Sequence, residues 1–530
     1  MKVSMKKVLA AIVTVVFIFS VISGCGRSDT STGGSTSTAS GSQAEKKLTA
    51  WAPVYDYTGM AMTNAEMPFY IELEKQTGVT IEWTHPPIGQ ESEGFNLLLA
   101  SGVYPDLIQN GWPGYPGGPD KAISDGVIIA MNDLLPTHGK NFKNILDNEP
   151  FIDKLCKSAA GNYYTVPYMM IDPAILTWAG PVIRKDLLEK TGLPAPTTID
   201  EWEIILKAFK NDFGMDSAFS SVGWIFDYIT PSFNTGGGFY QVGGKIKFGP
   251  IEPGYKDFLA TMASWYAEGL LDNDWASQDG TAFDAKILNG RIGITITMVG
   301  GGIGRFTPQG REMNPDFTLM GIPYPVLNKG DTPKRGQQDL PATIGASSFA
   351  ISTACKSPET AMEWLDYCYD YNQSSPGHML FNYGIEGVSY EMIDGFPTFT
   401  ELLTNNPDGY SLKDMLQVYT LAGGSGPGIC DIREFVQFFQ FPEQTDAVKT
   451  WVTDTTEAIP PVAPSDEADF DRLAIIMTDV NTYIDEMKLK FIMGQEPIEN
   501  YDKFVDNLKG MGVEEAIELT QKAFEEFLNR

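Results

Sequence analysis

Histidine is almost missing from this chain: three residues in 530, His85, His138 and His378, with no two close in sequence. That removes the paired-histidine zinc motifs and short histidine relays. Cysteine is nearly as scarce, five in all, with no C-x-x-C and no histidine beside any of them. Positive charge is short as well, 38 Lys and Arg against 68 Asp and Glu, a formal charge of −30. A surface of that sign repels phosphate backbones and anionic headgroups, so nucleic acid is a poor partner. Beyond the first two dozen residues no apolar run is long enough to span a bilayer as a helix. Catalytic loops are lacking too. No G-x-S-x-G elbow occurs, and Gly139-Lys140 and Gly244-Lys245 are followed by Asn and Ile, so neither is a phosphate loop. The glycine runs at 236–238, 300–304 and 423–428 miss the G-x-G-x-x-G spacing and suit flexible loops or close backbone approach. With 68 carboxylates some Asp/Glu pair always exists, so pairing in sequence says nothing about glycoside hydrolysis.

What is present begins at the N-terminus. Lys2, Lys6 and Lys7 precede an almost wholly apolar stretch, Val8 to Ile22, the pattern of an export signal. It ends in Ile22-Ser23-Gly24-Cys25, which resembles a bacterial lipobox. That resemblance implies removal of residues 1–24 and a diacylglyceryl thioether on Cys25, taking the charge from −30 to −33. Residues 25–45 follow as a tether: 14 of the 19 residues from Gly26 to Ala44 are Ser, Thr or Gly, too polar to order themselves. The other cysteines, Cys156, Cys355, Cys368 and Cys430, are expected as free thiols in a chain large enough not to need disulfides.

Lys46 starts dense alternating structure. Leu48 to Val54 and Val79 to Trp83 are strand candidates. Between them Pro68 opens a helix that Gly78 ends. A helical stretch from Phe95 to Ser101 leads to a short strand over Tyr104 to Ile108. Strands alternating with helices predict an α/β chain with a mainly parallel sheet. Thr198 with Glu201 three residues on predicts a capping box, and Trp202, Ile205, Leu206 and Phe209 then share one helical face. Pro358 opens another helix that buries Ala361, Trp364, Leu365 and Cys368. Trp202 and Trp364 therefore read as core, as do Trp83, Trp265 and Trp451. The chain ends in a helix carrying Ile517, Phe524 and Phe527 among Glu and Lys.

Several of these stretches carry a family resemblance in colinear order: LLLASGVYPDLI (Leu97 to Ile108), GNYYTVPY (Gly161 to Tyr168), IRKDLLEKTGLPAPTTIDEW (Ile183 to Trp202), YAEGLLDND (Tyr266 to Asp274), LNGRIGI (Leu288 to Ile294), KSPETAMEWLDY (Lys356 to Tyr367), YGIEGVSY (Tyr383 to Tyr390) and FIMGQEPIENYDKF (Phe491 to Phe504). Together they resemble the extracellular solute-binding lipoproteins of ABC importers, family 1, of the oligosaccharide type, from about Lys46 to Arg530. The resemblance implies a two-lobe periplasmic-binding-protein-like α/β fold of type II, with crossing strands and a ligand cleft between lobes. It implies a first lobe of residues 46–168 and 323–377 and a second of 169–322 and 378–530. It also implies a monomeric binding protein, not an enzyme, that needs no cofactor. Such a protein is lipid-anchored on the outer face of the cytoplasmic membrane of a Gram-positive bacterium and delivers its ligand to permease subunits. A surface glycoside hydrolase or lyase, or a ligand-presenting receptor for a membrane sensor, are the alternatives. Some relatives carry an EF-hand-like calcium loop just after the helix that here starts at Thr198. Asn211 to Ala218 has too few oxygens and no closing Glu, so no metal is expected.

Sugar sites pair aromatic planes, which pack on the C–H faces of pyranose rings, with fixed polar groups for the hydroxyls. Loops after strands offer both. The candidates are Tyr55 and Asp56 after the first strand, Asn110 and Trp112 after the Pro-Asp strand, and Trp178 past the first crossing. Trp224, Asp227 and Trp275 follow in loops, and Arg305 and Arg433 follow glycine runs. The acidic surface favours a neutral oligosaccharide over an anionic ligand.

Overall fold

The computed structural model describes residues 46–54, 63–345, 348–408, 410, 412–421, 426–453 and 455–530, apart from the side chains of residues 224, 225 and 343. The tether and Cys25 lie outside the described residues, as do Tyr55 and Asp56. In chain order the strands are β1 Lys46–Trp51, β2 Val79–Thr84, β3 Leu107–Gln109, β4 Tyr168–Met169, β5 Ala179–Arg184, β6 Phe239–Val242, β7 Lys245–Phe248, β8 Ile294–Met298, β9 Leu319–Gly321, β10 Ala342–Thr343, β11 Phe349–Ile351, β12 Tyr390–Ile393, β13 Phe396–Phe399 and β14 Gly428–Ile429.

The first lobe is built on the sheet β11-β3-β1-β2. β1 runs parallel to β2, Leu48 opposite Ile81, and parallel to β3, Ala50 opposite Leu107. The predicted helix forms as Pro68–Thr77: Pro68 sits in its first turn, Phe69, Tyr70 and Leu73 are buried, and Gly78 at φ 68° ends it in the left-handed region. The second lobe is built on the sheet β8-β5-β9, in which both neighbours run antiparallel to β5. A mainly parallel sheet is therefore realised only in the first lobe. The reason is topological. β5 enters the second lobe from the crossing, whereas β8 and β9 run back toward it, so they must oppose β5. β11 returns from the crossing into the first lobe and opposes β3 in the same way.

The helix Ile199–Phe213 follows its sequence pattern: Thr198 Oγ1 accepts from the Glu201 amide at 3.2 Å, and Trp202, Ile205, Leu206 and Phe209 are buried. The Glu201 carboxylate turns back to the amide and hydroxyl of Thr197, both at 2.8 Å, rather than to the cap's own amide. Trp364 and Cys368 lie in the first-lobe core, and Trp265 and Trp451 are buried in the second lobe. Trp83 is half-buried against the first-lobe core. The four described cysteines are free thiols, with Cys355 half-buried and the others buried. No helix among the described residues is long and apolar enough to cross a membrane.

Hydrophobic packing redraws the lobe boundaries. The sequence reading gives residues 169–176 and 378–530 to the second lobe. In the structure Met169, Met170, Ile175 and Leu176 belong to the first-lobe core, as do Leu380, Phe381, Leu421, Ile429, Cys430 and Phe527. The chain stays on the first lobe through β14 because Asn382 holds that strand: its side-chain N–H donates to the Ile429 carbonyl at 2.9 Å, and its carbonyl accepts from the Asp431 amide at 2.8 Å. Between Tyr383 and Tyr419 the β12–β13 hairpin and its helices enclose a small satellite core around Tyr383, Phe399 and Leu403.

Candidate functional site

Three segments carry the chain from one lobe to the other, and the short sheet β10-β4-β14 holds them side by side. Met169 of β4 faces Ala342 of β10 on one side and Ile429 of β14 on the other. β4 continues through Trp178 into β5, β9 returns through Gln337 and Asp339 into β10, and β14 leads on past Phe435 and Phe439.

Trp178 is the candidate most firmly built into this crossing. Its amide donates to Gln337 Oε1 at 2.7 Å and its indole Nε1–H donates to Asp339 Oδ2 at 2.8 Å. Gln337 in turn donates to Asp339 Oδ1 at 3.0 Å, and its own amide donates to the Tyr324 hydroxyl at 3.0 Å. Burial raises the Asp339 carboxyl above the usual range, and the donors from Trp178 and Gln337 oppose that rise. The indole is therefore oriented by Asp339, which Gln337 in turn holds, as a stacking platform needs. Trp178, Tyr228, Phe435 and Phe439 all lie half-buried against the same hydrophobic cluster of the second lobe.

On the β10 side of the crossing lies a cavity of about 250 Å³. It is lined by Pro113, Gly117 to Asp120 and Tyr164, by Ala342 and Ile344, and by Pro461 to Ser465, Phe470 and the C-terminal Arg530. It sits beyond the carboxyl end of β3, where open α/β sheets bind ligands, and its volume lies just below the usual range of small-molecule pockets. Asp120 is fixed at its edge by the Ser158 hydroxyl at 2.5 Å, the Ala160 amide at 3.0 Å and the Asn162 side chain at 2.9 Å.

Across β14 is a buried polar cluster. His378, Asn382, Asp431 and Glu434 are all at most 2% exposed. Arg433 clamps Asp431 with Nε at 2.9 Å and Nη2 at 2.5 Å, and His378 Nε2 meets the same oxygen at 3.2 Å. Burial opposes it, but these partners hold the Asp431 carboxyl well below the carboxylate range. Glu434 has no such help. Burial and the neighbouring Asp431 charge push it up to about 8. Its Oε2 meets only the Cys430 thiol at 3.8 Å, and its Oε1 has no partner.

The remaining candidates are spread apart. Trp112 is fully buried among Phe95, at 5.6 Å edge-to-face, and Tyr115, and Trp275 stacks on Phe226 at 4.5 Å. Both are core residues in this structure, Trp112 packed in the first lobe and Trp275 in the second. Asn110 is half-buried at the end of β3, its amide donating to the Ser348 carbonyl at 3.0 Å. Asp227 pairs with Lys488 at 3.1 Å. Arg305 pairs with Asp284 and donates to the Gly301 carbonyl at 2.9 Å. Arg433 serves Asp431. The side chain of Trp224 lies outside the described residues. Sequence reasoning missed Gln337, Asp339, Tyr228, Phe435 and Phe439. Only the Gln-Gln-x-Leu-Pro stretch before β10 hints at a polar loop.

Around the chain just after the helix Ile199–Phe213, acidic side chains are met by protein cations. Asp216 pairs with Arg291 at 2.6 Å. Asp272, 1% exposed, takes the Lys286 ammonium on both oxygens at 2.8 and 2.7 Å, together with the Ser217 and Ser220 hydroxyls. Among the described residues no group of three or more His, Cys, Asp or Glu is placed to hold a metal.

Residues 46–371 match the family described as bacterial extracellular solute-binding protein. The chain belongs to that family. It is accordingly a binding protein and not an enzyme. Among curated relatives it is 24% identical over 86% of its length, and 86% of theirs, to the fructooligosaccharide ABC transporter substrate-binding protein FusA of Streptococcus pneumoniae. It is 25% identical to lipoprotein LipO of Bacillus subtilis, over 73% of this chain and 74% of LipO. Among solved structures the alginate-binding protein AlgQ2, determined without calcium ion, superposes with a TM-score of 0.73 at 21% identity, covering 91% of this chain and 98% of that one. The family fold is thus the two-lobe arrangement described above.

Proposed function

We propose that this protein captures a neutral oligosaccharide between its lobes and hands it to the permease subunits of an ABC importer. It does so as a monomer, held by a lipid on Cys25 at the outer face of the cytoplasmic membrane of a Gram-positive cell. The observation that carries the reading is family membership joined to the crossing itself, three strands side by side with an oriented indole and a cavity beside β10. The names of FusA and AlgQ2 support a carbohydrate, that of LipO supports the anchor, and the acidic surface favours a neutral ligand. The solute lies against Trp178 and the half-buried aromatic rings around it, and closure of the lobes excludes water from its hydroxyls. Calorimetry with fructooligosaccharides such as kestose, and with other neutral oligosaccharides, tests this. Aromatic stacking worth about 1–3 kcal/mol means that Trp178→Ala weakens binding about 5- to 150-fold. An unchanged affinity for a sugar that binds the wild type refutes the site, and a cleaved sugar refutes the function. For the anchor, Cys25→Ala should release the protein or leave it uncleaved. A mutant that stays membrane-bound at mature size refutes the lipid.

A further inference from the structure

A fourth link joins the lobes, and it differs in kind from the three strands. The last helix, Val513–Leu528, is about 24 Å long at 1.5 Å per residue. Its first turns belong to the second lobe: Val513 and Ala516 lie in that core, and Glu515 pairs with Arg472 at 2.6 Å. Midway, Gln521 clamps it to the β6–β7 hairpin, accepting from the Ile246 amide at 2.8 Å and donating to the Gly244 carbonyl at 3.1 Å. Its tip belongs to the first lobe. Phe527, 2% exposed, is part of the first-lobe core and meets Phe151 edge-to-face at 6.2 Å. The Lys154 ammonium donates to the Leu528 carbonyl at 2.6 Å, and Arg530 Nη1 donates to the Lys157 carbonyl at 2.8 Å.

One stiff helix is therefore rooted in one lobe and plugged into the other. The strand crossings are covalent and can only bend. The helix tip is held by one aromatic ring and three hydrogen bonds, the third from the Ser465 amide to Glu526 at 3.2 Å, so it can leave. A rotation of the lobes that moves the second away from the residues around Phe151 and Lys154 must either pull Phe527 out of its core or break the Gln521 clamp. Arg530, beyond the plug, also lines the cavity beside β10. The state of the tip and the shape of the cavity are thus linked through the same residue.

We propose that the last turn of this helix is a releasable latch: docked, it holds the lobe separation seen here, and undocked, it frees the lobes to open and removes Arg530 from the cavity wall. The proposal rests on the reading of the protein as a two-lobe solute binder. Its test needs no solute, so a failure of sugar binding and a failure of the latch are distinguishable. Spin labels replacing Leu97 on the first lobe and Ile204 on the second, both exposed, report the separation by pulsed dipolar spectroscopy in the solute-free full chain, with Cys355 changed to Ser. The wild type should give one narrow distance. Phe527→Ala, and separately Lys154→Met at the partly exposed rim, should add a longer distance, with the open-to-closed ratio rising about tenfold for Phe527→Ala. Hydrogen exchange should rise in the last turn of the helix before it rises at Val513. Because Phe527→Ala also removes core packing, thermal melting runs alongside. A lowered melting point with an unchanged distance distribution in both variants overturns the latch, as does a broad distribution already present in the wild type.

Discussion

Glu434→Gln turns a buried, poorly partnered acid into a neutral amide of the same shape, and its effect on stability should depend on pH in a calculable way. Burial and the Asp431 charge push the folded-state value up to about 8, from the ordinary 4.5 of a glutamate. A raised carboxyl binds its proton more tightly in the folded chain than in the unfolded one. Its stabilising contribution is complete below the unfolded value and is lost as pH climbs from there toward 8. At 1.36 kcal/mol per pH unit, the loss between the ordinary value and pH 7 is about 3 kcal/mol. Wild-type stability should therefore fall by about 1.4 kcal/mol per pH unit more steeply than that of the glutamine variant between pH 5 and 8. Two other shifted acids leave this difference intact. Asp366, raised by burial to about 6, loses its contribution between its ordinary value and 6, equally in both proteins. Asp431, held low, contributes above its ordinary value and loses that contribution only as pH falls through its depressed folded value, below the window used. Urea unfolding of the protein at pH 5, 6, 7 and 8, followed by fluorescence and circular dichroism, reads the slopes. Parallel stability curves for wild type and variant would refute the argument, since they would mean that Glu434 is already ionised in the folded protein.

Lys286→Met should cost about 3–5 kcal/mol, because it strands the buried Asp272 carboxylate without its cation. Adding Asp272→Asn should restore part of the loss, and a scanning-calorimetry midpoint unmoved in the single variant would contradict this. Asp339→Leu should cost about 1–3 kcal/mol by leaving the Trp178 and Gln337 donors buried without their acceptor, with a shift in tryptophan emission. Unchanged emission would show that Asp339 does not set the indole's surroundings. Treatment with EDTA should leave the melting temperature where it was. A fall reversed by calcium would reveal a bound ion, which at a thousandfold excess over its Kd stabilises by about 4 kcal/mol.

Local pattern was legible in the sequence wherever a few neighbouring residues decide the outcome. Pro68 and Gly78 bound a helix because one presets φ and the other tolerates the left-handed turn. Thr198 and the Trp202, Ile205, Leu206, Phe209 stripe make another because a cap and a 3.6-residue period are properties of a short segment. The colinear motifs from Leu97 to Phe504 carried the family and with it the two-lobe fold. Three things were decided only by tertiary structure. Trp112 and Trp275 sit in loops by sequence, yet whether a loop indole faces a cleft or folds into its own lobe depends on residues far along the chain, here Phe95 and Phe226. No local signal at 377 tells that β14, fifty residues later, pairs with β4 and that Leu380, Phe381 and Ile429 pack into the first-lobe core. Gln337 and Asp339 meet Trp178 across some 160 positions. Short-range periodicity is written along the chain, whereas a site at a crossing is made by strands that meet only once the chain has passed between the lobes three times.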